Sequence, residues 1–488
     1  MRKMLRPIMF VGTGSDVGKS VVNAAFCRIF KQDGYCPAPF KAQNMSLNSY
    51  ATPENLEIGR AQAMQAEACG VECKVEMNPV LLKPTSYLSS QVVLNGKPVG
   101  NMSASKYFID TDREKLFNEA FNAFKTLDSE FAPIVIEGAG SISEINLWDK
   151  DITNMRVAEK ANAATYLVAD IDRGGVFASV YGTIELLPEK HRNLIEGIII
   201  NKFRGDIKLF EEGKEIIEKL TQKPVVGVIP YFRDIYLEQE DSVVIDNKTS
   251  TSVKDKINIC IVLLPHLSNF TDFDNLERVS NVHLYYSDNT AEIEKADIVI
   301  LPGSKSTISD FLYLRKKGID DVIKQLYHKG KQIYGICGGF QMMGTEILDP
   351  DKIEGDINKI DALGILPVST TILKEKRTRQ VKFSFCNTKT ECLGYEIHMG
   401  ETKSEIASPV CKIGNTDDGY FLNNKVWGTY IHGIFDNSVV VEHILKQISA
   451  DIKIDRNFVE FKNSEYDKLA NLVRASVDIE YIYKTLQL

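Results

Sequence analysis

Apolar residues are distributed along this chain with two different spacings. Short unbroken runs at 7–12, 132–137, 164–169 and 197–201 are apolar or β-branched and end in polar or glycine-rich turns. The stretches between them repeat apolar positions at helical spacing. A strand covered on both faces reads as a continuous apolar run, so runs alternating with helices predict a parallel, doubly wound sheet. After residue 233 the pattern gives way to acidic residues and then Asn247-Lys248-Thr249-Ser250-Thr251-Ser252, a linker candidate. A second alternation runs through 257–265, 296–302, 332–336 and 426–431, and the chain from 445 onward is helical in pattern. The expected fold class is α/β with two doubly wound domains: 1–235, a linker at 236–256, 257–446, and a helical extension over 447–488. Length agrees, since 488 residues exceed one ordinary domain.

Composition narrows the function classes. With 44% hydrophobic and 25% charged residues the chain is ordinary globular protein, not disordered. A net charge of −8 lacks the basic footprint of a nucleic-acid binder. No run approaches the roughly 18 apolar residues of a membrane span, and the apolar start at 8–11 is too short for a secretion signal. Nine cysteines without CxxC pairs or Cys/His clusters predict reduced thiols in a cytoplasmic protein and no zinc site. A homo-oligomer is compatible with this composition.

The segment Gly12-Thr13-Gly14-Ser15-Asp16-Val17-Gly18-Lys19-Ser20 follows a strand run and precedes a helical one. That is the setting of a phosphate loop: glycines bare backbone N–H groups, a helix N-terminus attracts anions, the lysine meets the outer phosphates and the serine ligates magnesium. Gly14, Gly18, Lys19 and Ser20 are the ATP candidates, although Thr13 stands where the usual first glycine would. Glu137 closes an apolar run before Gly138-Ala139-Gly140-Ser141 and is the second magnesium candidate beside Ser20. Asn201, in Asn201-Lys202-Phe203-Arg204-Gly205-Asp206, is placed either to read an adenine edge or to cap a loop. Two polar loops are substrate candidates through Lys41, Gln43 and Asn44, and through Asp170, Asp172 and Arg173. Either aspartate can serve magnesium or cap a helix. This half is expected to use ATP and Mg²⁺.

In the second half, Tyr334-Gly335-Ile336-Cys337-Gly338-Gly339-Phe340-Gln341 sets one cysteine between glycines at the end of an apolar run. This is the pattern of a nucleophile elbow, which lifts a thiol above the sheet where helix N–H groups can hold an oxyanion. The expected donors are the backbones of Gly338 and of Gly303, in Leu301-Pro302-Gly303-Ser304. A thiol also needs a base. His432, in Gly428-Thr429-Tyr430-Ile431-His432-Gly433-Ile434-Phe435, is preferred over His398, in Glu396-Ile397-His398-Met399-Gly400.

The Cys337 and His432 motifs together resemble the class I glutamine amidotransferase domain. Most members carry His-x-Glu, whereas Ile434 stands two residues after His432, which resembles the cobyrinate-amidating subgroup. The resemblance therefore implies a Cys–His dyad without an orienting glutamate. The phosphate loop resembles the variant loop of the dethiobiotin synthetase group. With Lys41-Ala42-Gln43-Asn44-Met45-Ser46, Asp170-Ile171-Asp172-Arg173-Gly174-Gly175 and the Asn201 run, nearly the whole chain resembles the cobyric acid synthase family. The resemblance implies amidation of the b, d, e and g carboxylates of (adenosyl)cobyrinic acid a,c-diamide to (adenosyl)cobyric acid, on the route to cobalamin. ATP, glutamine and the corrinoid are then its small-molecule partners. The rival readings are the a,c-diamide synthase, a glutaminase partner in cell-wall amidation, and a partition-type ATPase with an inactive amidotransferase domain.

Overall fold

The computed structural model describes residues 5–86, 89–103, 113–238, 248–449, 454 and 457–487. The chain forms two compact units, one of Met1–Met45, Ile58–Glu238 and Val459–Leu488, the other of Ser46–Glu57 and Gln239–Phe458. Residues 239–247 of the expected linker, and 450–453, 455–456 and 488 of the expected extension, lie outside the described residues.

The first unit is built on a six-stranded parallel sheet in the order Val225–Pro230, Ile195–Phe203, Ala164–Asp170, Ile8–Gly12, Ile134–Glu137, Ala38–Phe40. The four central strands are those the apolar runs mark. The two edges are weaker in pattern, one being three residues long around Pro39 and the other interrupted by Gly227. A second sheet joins Gln43–Met45, Val80–Ser86, Ser89–Leu94 and Lys97–Ser103. The last thirty residues belong to this unit for a simple reason. In the helix Phe458–Ser476, Tyr466, Leu469, Ala470 and Val473 recur at helical spacing and are buried in one core with Phe26 and Phe30. Arg28, on the helix Lys19–Gln32, clasps Asp467 through two bonds of 2.7 and 2.9 Å.

The second unit has a six-stranded sheet in the order Val282–Ser287, Ile257–Val262, Ile298–Leu301, Gln332–Ile336, Val426–Thr429, Tyr420–Asn423, with only the last strand antiparallel. A mixed sheet is dominated by the antiparallel pair Val368–Phe385 and Cys392–Ser404. The apolar pattern passes over that pair because its middle, Lys374-Glu375-Lys376-Arg377, is charged and carries no run to read. The segment Ser46–Glu57 departs from a serial division of the chain. It is fixed within this unit: Asn269 Oδ1 accepts from Ser49 N at 3.0 Å, Gln380 donates to Ala51 O at 2.9 Å, and Ala51 packs on Tyr395 and Ile397. No helix among the described residues is long and apolar enough to cross a membrane.

Candidate functional site

In the first unit the candidate residues gather at or just beyond the carboxyl ends of the strands, where open parallel sheets bind ligands. Gly18 precedes the helix Lys19–Gln32 with φ +97°, a conformation costly for any other residue, and a Cβ there would lie 2.0 Å from Asn201 Nδ2. Lys19 Nζ donates to the carbonyls of Gly14 and Gly140, both at 2.9 Å. Ser20 Oγ donates to Glu137 Oε1 at 2.9 Å, Lys41 Nζ stands 2.8 Å from the same oxygen, and Gln65 Nε2 donates to Oε2 at 2.6 Å. Burial opposes charge on Glu137, but the Lys41 ammonium and the hydrogen bonds from Lys41, Gln65 and Ser20 outweigh it and hold the carboxyl below its ordinary range.

These atoms fit a magnesium site. Ser20 Oγ and the Glu137 carboxylate are adjacent hard oxygens, and Mg²⁺ in phosphoryl-transfer sites takes one or two protein oxygens and fills the rest with phosphate and water. Among the described residues no cluster of three His, Cys, Asp or Glu offers an alternative all-protein cage.

Several expectations change here. A Cβ on Gly14 would meet only Val17 at 3.8 Å, whereas one on Gly12 would come within 2.9 Å of Gly14 O and of Val17, so the steric demand falls on Gly12. Asn201 spends its amide on Val17 O at 2.9 Å and clasps the phosphate loop, which favours the loop-capping alternative over adenine reading. Asp170 pairs with Lys202 at 2.8 Å, and Asp172 is forked by Arg204 at 2.5 and 3.0 Å. Lys202 also donates to Asp16 O, and Arg173, largely exposed, lies 3.5 Å from Asp16. Both aspartates are thus paired with adjacent bases, and Lys202 and Arg173 tie this loop to the phosphate loop. Asn44 is buried and bonded to Gln62 at 3.2 Å, while Gln43 is half-buried. Two supports were invisible in the pattern: Gln65, in the helix Arg60–Cys69, and Asn154, which bonds Ala139 N and O at 3.0 and 2.9 Å and so fixes the turn after Glu137.

In the second unit Cys337 ends the buried strand Gln332–Ile336, between Ile298–Leu301 and Val426–Thr429. Its backbone takes φ +52°, ψ −109°, a strained conformation for a residue with a Cβ, and the helix Gly338–Met343 starts directly after it. The elbow is possible because that helix lies against the neighbouring strand: a Cβ on Gly339 would sit 2.0 Å from Leu301 O. Gly338, first in the helix, has no i−4 carbonyl for its N–H. A Cβ on Gly303 would lie 3.1 Å from His432 Cε1, and one on Gly338 would lie 2.9 Å from Ser304 N.

His432 stands on the short strand Ile431–His432, opposite Tyr395 of Cys392–Ser404 and stacked on its ring with centroids 5.4 Å apart. The expectation of a dyad is corrected by Asp272. Its Oδ2 accepts from His432 Nδ1 at 2.7 Å, and its Oδ1 accepts from Gly433 N at 2.9 Å. Asp272 comes from 160 residues upstream, in the turn Phe270–Phe273, buried between two phenylalanines. With Nδ1 committed as a donor, Nε2 is the ring nitrogen left for the hydrogen bond between His432 and Cys337. Burial works against charge on His432, yet the Asp272 carboxylate and the Cys337 sulfur outweigh it and raise the imidazolium to about 10. His398 differs. Burial pushes it down to about 3, so the ring is neutral at neutral pH and carries no second proton to donate as an acid.

Comparison with known proteins agrees with this geometry. The model of the CobQ/CobB/MinD/ParA nucleotide binding domain matches residues 8–243, and that of the CobB/CobQ-like glutamine amidotransferase domain matches 258–440. The chain is 58% identical to the cobyric acid synthase of Parabacteroides distasonis over the full length of both. It is 54% identical to that of Bacteroides fragilis, covering 100% of this chain and 99% of the relative, and 46% identical to that of Caldanaerobacter subterraneus, covering 99% of each.

Proposed function

This chain belongs to the cobyric acid synthase family, and from that premise we propose how its two sites share the amidation of a corrinoid. It is a glutamine-hydrolysing ligase of cobalamin biosynthesis with a nucleotide-binding half. Its substrate is (adenosyl)cobyrinic acid a,c-diamide, and the b, d, e and g carboxylates become amides, each with one ATP and one glutamine.

At the thiol site, Cys337 sulfur attacks the side-chain carbonyl carbon of glutamine, and backbone N–H groups around Gly303 and Gly338 receive the oxyanion. His432, charged and aligned by Asp272, gives its Nε2 proton to the departing nitrogen, and ammonia leaves as the C–N bond breaks. The neutral imidazole then takes a proton from water, whose oxygen attacks the thioester carbonyl, and glutamate leaves with Cys337 restored as thiolate beside the recharged imidazolium. At the phosphate site, the loop N–H groups and Lys19 hold the outer phosphates of ATP while a corrinoid carboxylate oxygen attacks the γ-phosphorus and ADP departs. Ammonia attacks the carbonyl carbon of the resulting acyl phosphate, and phosphate leaves. Mg²⁺ held by Ser20 and Glu137 would supply neutralising charge at the phosphates. Activation is needed because a free carboxylate is a poor electrophile.

The observation that carries this reading is the buried Cys337–His432–Asp272 set in a chain that also carries a braced phosphate loop. Its test follows oxygen. With ¹⁸O in the corrinoid carboxylates, each amide formed should deliver one ¹⁸O to inorganic phosphate. Phosphate carrying only solvent or ATP oxygen would exclude the acyl phosphate.

A further inference from the structure

His398 is the one imidazole near the thiol that the mechanism above leaves idle. It follows Ile397, whose carbonyl lies 3.7 Å from Cys337 Sγ as acceptor of the thiol, so the strand Cys392–Ser404 carries it directly past the nucleophile. The ring is held from two sides. It stacks on Tyr430 with centroids 3.8 Å apart and planes 16° from parallel, and Tyr430 is itself fixed by Thr402 at 2.6 Å and Gln341 at 3.3 Å. His398 Nδ1–H donates to Gly400 O at 2.8 Å, which fixes the tautomer and makes Nε2 an acceptor. That Nε2 is buried and has no hydrogen-bond partner among the described residues. Buried acceptors are nearly always paired, so one left open beside a reactive centre points to a donor that arrives in turnover. His398, Tyr430 and Phe340 are also among the residues lining a cavity of about 620 Å³ in the same unit.

We propose that His398 Nε2 accepts an N–H bond from the nitrogen released at Cys337 and passes it on, as neutral ammonia, toward this cavity. The proposal rests on the glutaminase reading of Cys337. Three features suit it. A bond made through N–H leaves the ammonia lone pair free for its later attack on a carbonyl. The ring's conjugate acid is pushed down to about 3, so the ring stays neutral and has no acidic proton with which to trap ammonia as ammonium. Arg377, opposite His398 in the strand ladder, and Arg379 place positive charge near the ring, which further disfavours ammonium there.

The test compares glutamate released with amide formed by the full-length enzyme given ATP, glutamine and cobyrinic acid a,c-diamide. The wild type should give a ratio of one. His398→Phe keeps a ring on Tyr430 and removes the acceptor. Its ratio should rise roughly two- to tenfold, the weight of one neutral hydrogen bond. Amidation fed by ammonium chloride should persist and report that the fold is intact. His398→Gln, which restores an acceptor, should bring the ratio back toward one. His398→Met is the second apolar variant, with the same expected rise, should phenylalanine not be accommodated. A ratio that stays at one in the apolar variants would overturn the proposal, as would loss of glutamate release in a folded variant, which would assign His398 to glutamine instead. A wild type that released no glutamate would strike the glutaminase reading itself.

Discussion

Replacing Cys337 by alanine should abolish amidation driven by glutamine and leave amidation driven by a high concentration of ammonium. The loss should be on the order of 10⁴-fold or more, because removing a nucleophile that acts with its base removes the covalent route entirely. Ammonium-driven activity should survive because the residues proposed to activate the carboxylate, Lys19, Ser20 and Glu137, contact one another and the phosphate loop, not the thiol. Alanine in place of Cys337 retains a Cβ in the same φ +52° backbone, so the variant carries no new strain at the elbow. Initial rates with each nitrogen donor check the outcome. Equal loss of both rates in a folded variant would contradict the separation of the two chemistries.

Asp272→Asn should lower glutamine hydrolysis by roughly 10²–10⁴-fold, by analogy with other carboxylates that hold a catalytic imidazole in one tautomer. An amide in that place can donate to Nδ1 as readily as accept from it, so the ring loses its enforced orientation. The pH profile separates this role from mere packing. The pKa of His432 is raised above its ordinary 6.5 to about 10, so the imidazolium is present through neutral pH and is lost as pH rises through about 10. Glutamine hydrolysis by the wild type should therefore hold into the alkaline range, and its decline should move to lower pH in Asp272→Asn. Ammonium-driven amidation should be unaffected. A variant with an unmoved alkaline limb and full glutaminase rate would remove Asp272 from the catalytic set.

What the sequence makes legible follows from local grammar. The four central strands of the first sheet are apolar runs, and both loops that carry chemistry, Gly12 to Ser20 and Gly335 to Gly339, are contiguous motifs between a strand and a helix. Asp272 lacks any such grammar: it is a single acid between phenylalanines, and only folding brings it to His432 across 160 residues. The charges at 374–377 conceal a long hairpin for the opposite reason, because its exposed middle has no apolar alternation. The loop of Asp170 and Asp172 reads as a metal or substrate site because carboxylates near glycines are ambiguous, and only the fold shows that two bases, Lys202 and Arg204, pair with them. Likewise Ser46–Glu57 reads as part of the first domain by order in the chain, and its hydrogen bonds to Asn269 and Gln380 place it in the second unit.

The central claim is that one chain releases ammonia from glutamine and installs it repeatedly on a single corrinoid. Mass spectrometry of the product from cobyrinic acid a,c-diamide, ATP and glutamine tests it most directly, with glutamate and phosphate counted in the same reaction. The account predicts a product carrying four new amides, with one glutamate and one phosphate for each. An unmodified diamide, or glutamate and phosphate released without new amides, would contradict it.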